Sequence, residues 1–251
     1  MSKLNRKDIL SAIDYADENG VFAKLNSIYE EVPSGRCSGC GKCCMESVGI
    51  SMTEFLNIYK RLEESEKIRR EVTPKIIDYY FLEFVKKNSC PFKRDDNTCS
   101  IYEVRPLNCR IYGNWKKIDY EANLKNILKR NEKFELELFD ECKIMVNKEV
   151  SDFKIEYCND FVPGAGYMSK EDRLALSDKV ITLDSRILNS GTIDIEFKDR
   201  GIVEYFIESM IDIDMAFRIK TRVTKDEGDR KNAIPRLKKI LLNVDSTIVS
   251  E

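Results

Sequence analysis

Residues 37–44 read CSGCGKCC, placing cysteines at 37, 40, 43 and 44 with only Ser, Gly and Lys between them. The run has no large apolar residue to bury, and its glycines permit tight backbone, so it reads as a loop for helices to pack around. A C-x-x-C-x-x-C loop can curl so that successive thiolates reach different vertices of one tetrahedral ion or different corners of a cubane. Side chains of adjacent residues diverge, so Cys43 and Cys44 do not easily serve the same metal atom. One of them binds a second metal, bridges, or supports the ligands around the first.

The remaining composition says which chemistry such a loop serves. The chain has 251 residues, 42% of them hydrophobic, enough to build a substantial core as one large domain or two small ones. Its 42 basic and 44 acidic residues leave a net charge of −2, which gives no global attraction to nucleic acid or an anionic membrane. No apolar run approaches the roughly 18 residues of a membrane span. The opening MSKLNRKDIL lacks the apolar core of a secretion signal, so a soluble cytoplasmic protein is expected. Nine cysteines, an odd number, then read as thiolates for metal or reactivity, not as a disulfide framework. The chain contains no histidine. Mixed cysteine–histidine zinc fingers, Rieske centres and histidine-based triads are thereby excluded, and any acid–base step falls to Asp, Glu, Lys, Tyr or Cys.

Hydrophobic spacing predicts a fold that is mainly α with a few short strands, its cysteine-rich loops surrounding a metal centre packed on helices. Gly20 separates two N-terminal helices, and SMTE at 51–54 reads as a capping box opening a third. Thr73 and Pro74 read as the N-cap and first position of the next helix. Residues 121–131 read as helix, KFELELF (133–139) as strand or helix, and DFKIEYC (152–158) and TIDIEFKD (192–199) as strands. Further helices are expected from Ser169 and Gly201, with a short last one at IPRLKKILLNV (234–244). The expected organisation is an N-terminal helical segment, 1–34, a cysteine-cluster domain, 35–165, and a C-terminal helical region, 166–251.

Eight cysteines gather in turn-rich segments: the run itself; Cys90, Cys99 and Cys109 in SCPFKRDDNTCSIYEVRPLNCRIYG; and Cys158 in EYCNDFVPG. Loop backbone can wrap a metal and aim amides at its sulfurs. Cys142, among the large apolar residues of LFDECKIMV, is set aside as packing. Gly164 and Gly166 read as part of a loop closing the cysteine domain, and Trp115 and Tyr112 as packing residues.

CSGCGKCC followed by CPFKRDDNTCSIYEVRPLNCRIY resembles the CxxCxxCC (YkgJ-type) cysteine-cluster family of zinc- or iron-chelating proteins, over residues 35–165. The order Cys90, Pro91, Phe92, Cys99, Ile101, Tyr102, Arg105, Pro106, Cys109, Arg110 carries the resemblance. It implies one more cysteine after a strand-like segment, matched by Cys158, although CND stands here for the familiar Cys-Pro-Gly. Flagellin lysine N-methylases are similar more distantly, with a differently spaced first block.

A [4Fe-4S] cluster suits three cysteines of a compact run plus one from a distant loop, that is Cys37, Cys40 and Cys43 with Cys109 or Cys158. Zinc is the alternative, since eight thiolates would serve two such ions. Arg105 and Arg110 are expected to offset the negative charge of the centre. Neither a radical-SAM spacing nor a phosphate-binding glycine loop is present. Two functions remain: an iron–sulfur enzyme modifying a protein, peptide or small molecule, and a metal-held module whose C-terminal helices bind a protein or peptide partner.

Overall fold

Side-chain caps start most of the helices, each accepting from the backbone amide of a residue in the first turn. Asn5 accepts from Asp8 N at 2.9 Å, Ser51 from Glu54 N at 3.1 Å, Ser169 from Asp172 N at 3.0 Å and Asp212 from Met215 N at 2.9 Å. The computed structural model describes residues 4–194 and 200–247, with side chains described through residue 242.

Among the described residues eleven α-helices follow in order: α1 Arg6–Glu18, α2 Val21–Glu30, α3 Met52–Glu63, α4 Glu66–Phe81, α5 Leu107–Ile111, α6 Lys117–Cys142, α7 Lys148–Ser151, α8 Lys170–Asn189, α9 Ile202–Met210, α10 Ile213–Lys225 and α11 Glu227–Thr247. Four two-residue strands, β1 Gly35–Arg36, β2 Gly49–Ile50, β3 Val162–Pro163 and β4 Arg200–Gly201, form the antiparallel pairs β1–β3 and β2–β4. The protein is mainly α with minor β.

Helices α1, α2, α3 and α8 pack on one another, and α4 packs on α3, α9, α10 and α11. One apolar core runs through both groups, from Leu4 to Leu241. At its centre Phe55 stacks on Tyr205, with ring centroids 4.9 Å apart, and meets Phe206 edge-on at 5.2 Å. Phe92, fully buried in the second cysteine loop, lies 5.9 Å from Phe206 and so anchors that loop to the core. The long α6 buries only Leu138, which packs with Phe84 and Ile144 in a separate small cluster.

The break at Gly20 (φ 66°), the capping box at Ser51 and the helix start at Ser169 are as the residues predict. Four elements differ or are decided by the structure. Helix α4 is capped by Ser65 and continues through Thr73 and Pro74, because Ile68 and Val72 share the buried face of Ile76. Thr73 is no cap; its hydroxyl donates to the Arg69 carbonyl one turn back, at 2.9 Å. KFELELF is helical, inside α6. DFKIEYC is not a strand, although its residues do alternate between half-buried and exposed. Its carbonyls at Ile155 and Glu156 are taken by the hydroxyls of Tyr120 and Tyr112, the latter at 2.6 Å, in place of a partner strand. The last helix is longer than expected, running Glu227–Thr247 with Pro235 inside it. Of TIDIEFKD, residues 195–199 lie outside the described residues.

One buried carboxylate joins α8 to the start of α3. Asp184 accepts from Met52 N at 2.9 Å, Thr53 N at 2.8 Å and the Thr53 hydroxyl at 2.7 Å. Asp184→Ala leaves these donors without a partner and is expected to cost about 3 kcal/mol in urea unfolding. Asp184→Asn, which keeps one acceptor oxygen, should cost less; equal losses would mean that hydrogen bonding is not what Asp184 contributes.

Candidate metal centre

Left-handed backbone at Gly39 (φ 67°) and Gly41 (φ 69°) lets the first cysteine loop curl. Cys44 N donates to Gly41 O at 3.1 Å, and Gly39 N to the Cys37 sulfur at 3.4 Å. The second loop is laid directly on it. Cys90 N donates to Cys44 O at 2.8 Å, and a Cβ on Gly41 would come within 2.6 Å of Lys93 Cε and 2.8 Å of Asn97 Oδ1. Within the second loop a tight turn, with Asn97 at φ 64° and Arg94 N donating to Thr98 O at 2.8 Å, returns the chain so that Cys99 bridges Lys93. Cys90 and Cys99 therefore sit on the two arms of one turn.

Cys109 comes from α5, whose position is set from the core. Leu107 N donates to Glu54 Oε1 at 2.6 Å, and the Tyr29 hydroxyl donates to the same oxygen at 3.0 Å. Arg110 stacks on Tyr29 at 4.0 Å and donates to the carbonyls of Arg105, at 2.8 Å, and Glu103. Arg105 stacks on Tyr102 at 3.9 Å. Cys158 is returned to the first loop by the β1–β3 pairing, by Gly164 N donating to Ser34 O at 2.8 Å, and by a Lys42–Asp160 ion pair at 3.7 Å. FVPGAGYM thus closes the loop region.

Electrostatic coupling tells which thiols lie near one another. Burial pushes the Cys90 thiol up to about 11, with Cys99 and Cys43 adding to the shift. Burial raises Cys109 well above its ordinary value, and Cys90, Cys99 and Cys43 raise it further. Cys43 is raised by its hydrogen bond with Cys44 and by burial, and Arg105 opposes the rise. Cys99 is raised by burial and by Cys43, against Arg105 and Arg94. Cys43, Cys90, Cys99 and Cys109 therefore form a set in which every thiol is within electrostatic reach of the other three. Cys158, raised mainly by burial, meets this set at Cys43 and also feels Cys40.

The sequence favours Cys37, Cys40 and Cys43 with one later cysteine. In the structure Cys43 is electrostatically coupled to the three cysteines of the second block, while Cys37 and Cys109 are both exposed. Cys142, at the end of α6, packs against the small apolar cluster away from the others. Among the described residues no three Cys, Asp or Glu side chains stand in an arrangement that would hold a metal ion as they are. The donor chemistry nevertheless fits a thiolate-bound metal: sulfur ligands without imidazole, and a buried Arg105 Nε that lacks a hydrogen-bond partner beside Cys43 and Cys99. Glu54 and Tyr29, which hold α5 in place, escape a reading of the sequence. Glu54 is visible there only as half of a capping box, and Leu107 lies 53 residues further on.

Residues 36–143 match the family model described as "CxxCxxCC: Putative zinc- or iron-chelating domain". No curated protein and no solved structure matches the chain.

Because burial raises these thiols, they carry protons at neutral pH, and a metal must displace those protons to bind. Metal affinity is therefore expected to rise steeply between about pH 6 and pH 9, with more than one proton released per ion. Cobalt titration followed by thiolate charge-transfer absorption, with proton release read by an indicator dye, measures both. A pH-independent affinity would mean that these thiols are not the ligands.

Proposed function

We propose that the chain binds a [4Fe-4S] cluster through Cys43, Cys90, Cys99 and Cys109, in a cytoplasmic setting that keeps the thiols reduced. The mutual coupling of four thiols, one from the first loop, two from the second and one from α5, carries this reading. Arg105 and Arg94, which act on Cys99, supply positive charge beside a centre that four thiolates and inorganic sulfide make negative. When bound, such a cluster supplies one-electron transfer or, at an iron with an open position, a Lewis acid. The chain's own residues hold its surroundings. Glu54 and Tyr29 fix α5, and the β1–β3 pair holds the Cys158 segment at the first loop.

Cys37, Cys40, Cys44 and Cys158 form an outer group that supports the centre or completes a second one. Exposed Met215, Phe217 and Ile240 on α10 and α11 support a protein or peptide contact at the C-terminal helices. The competing reading is zinc held by the same four thiolates as a purely structural ion.

Anaerobically prepared protein is expected to be brown and to contain comparable iron and acid-labile sulfide. Alanine at Cys90, Cys99 or Cys109 should abolish the cluster, whereas Cys142→Ala should retain it and cost only a small packing penalty. Colourless protein holding stoichiometric zinc and no sulfide would overturn the cluster assignment. Retention in Cys90→Ala together with loss in Cys37→Ala would move the centre to the first loop.

A further inference from the structure

Helices α10 and α11 form a hairpin laid on α4, and the charge of the chain is unevenly divided around it. Residues 213–242 carry nine basic and four acidic side chains, in a chain whose net charge is −2. The four acids, Asp214, Asp226, Glu227 and Asp229, all sit in the first turn of a helix or in the link between the two. From 215 to 225 and from 230 to 242 there is no carboxylate at all.

Five of the nine cations are engaged within the fold. Lys220 pairs with Glu83, Lys238 with Asp78 at 2.6 Å, Lys231 with Glu227 at 2.8 Å and Arg222 with Asp229 at 3.1 Å. Arg230 donates to the carbonyls of Val223, at 2.9 Å, and Thr224, at 3.2 Å. Arg218, Lys225, Arg236 and Lys239 are exposed and have no ion-pair partner among the described residues.

Helical spacing places these groups around a seam. On α10, Met215, Ile219 and Arg222 follow one another at i, i+4 and i+7, with Arg218 beside them. On α11, Asp229, Ala233, Arg236 and Ile240 do so at i, i+4, i+7 and i+11. The Arg222–Asp229 ion pair joins the two rows at the closed end of the hairpin, so they border the same seam. Its floor is Ile219 and Ala233, half-buried and packed against the core. Towards the open end Met215 and Ile240 are 52% and 47% exposed, and Arg218, Arg236 and Lys239 stand on the rim.

A seam between two helices accepts a third by packing side-chain ridges into its groove. The apolar floor calls for aliphatic side chains, and the unpaired rim for carboxylates. Nucleic acid would meet the cations with phosphates but leave the floor uncovered. A bilayer surface is too flat to reach into the seam. A second copy would set the same unpaired arginines against these, because a two-fold contact uses one patch twice.

We propose that the α10–α11 seam binds an acidic amphipathic helix of a partner protein, its aliphatic residues on Ile219, Ala233, Met215 and Ile240 and its carboxylates on Arg218, Arg236 and Lys239. This rests on the reading of the C-terminal helices as a protein or peptide contact and adds the chemistry of the partner. It does not depend on which metal the cysteine region holds.

Three labelled peptides of about five helical turns test it by fluorescence anisotropy on the metal-loaded full-length protein. One carries a leucine stripe flanked by glutamates, the second has glutamine for every glutamate, and the third has serine for every leucine. The first should bind at least about tenfold tighter than either of the others, and more weakly as salt is added. Arg218→Glu with Arg236→Glu should weaken it at least about tenfold, and Met215→Ser with Ile240→Ser severalfold. Lys125→Glu with Lys129→Glu, the same change of net charge on exposed positions of α6, should leave it unchanged. Circular dichroism and metal content confirm that each variant is folded and loaded. Equal binding of the glutamate and glutamine peptides, lost in Met215→Ser with Ile240→Ser, would overturn the acidic partner and keep the contact; binding of none of the three would overturn both. An unchanged affinity in the arginine reversal, or an equal loss in the α6 reversal, would overturn the proposal. So would tighter binding of duplex DNA, or of vesicles of equal parts phosphatidylserine and phosphatidylcholine, weakened by that same arginine reversal.

Discussion

A single buried carboxylate ties the cysteine region to the rest of the fold. Glu54, 3% exposed, accepts from Ser51 N in its own helix, from the Tyr29 hydroxyl of α2 and from Leu107 N at the head of α5. Burial raises its carboxyl above the ordinary range, against the pull of those donors. A charge placed there without them would be strongly unfavourable. Each donor is thus fixed in position by the need to satisfy the same group, and α5 brings Cys109 with it. Asp184 repeats the device one helix away, binding α8 to the first turn of α3.

On this frame the cysteine loops are layered by backbone hydrogen bonds and not by apolar packing. Cys90 N on Cys44 O and the β1–β3 pair bring three sequence segments to one place. Phe92, and the packing of Cys90 and Cys99 against the core, supply the apolar anchorage. Such a region gains stability when metal binds, because the binding free energy of a thiolate site is also folding free energy. Helix α6 has the opposite character. It is long and mostly exposed, and a cleft lies between it and the core.

Local signals in the chain were legible wherever a local interaction decides the outcome. The Ser51 capping box, the helix start at Ser169, the break at Gly20 and the apolar setting of Cys142 each depend on residues a few positions apart. The misread elements are those where a distant group supplied what local pattern could not. DFKIEYC alternates as a strand would, but tyrosine hydroxyls satisfy its carbonyls. Thr73 and Pro74 look like a helix start, yet burial of Ile68 and Val72 carries α4 through them.

The sequence by itself determined the chemistry of the centre: sulfur donors without imidazole, concentrated in loops, with arginines close by. Only the tertiary structure decided which sulfurs lie near one another. Spacing within CSGCGKCC favours its own three cysteines, and contacts between segments far apart in the chain bring Cys43 near the thiols of the second block. Those contacts are set by a buried glutamate, a strand pair and a tight turn, because buried polar groups must find partners wherever in the chain those partners lie.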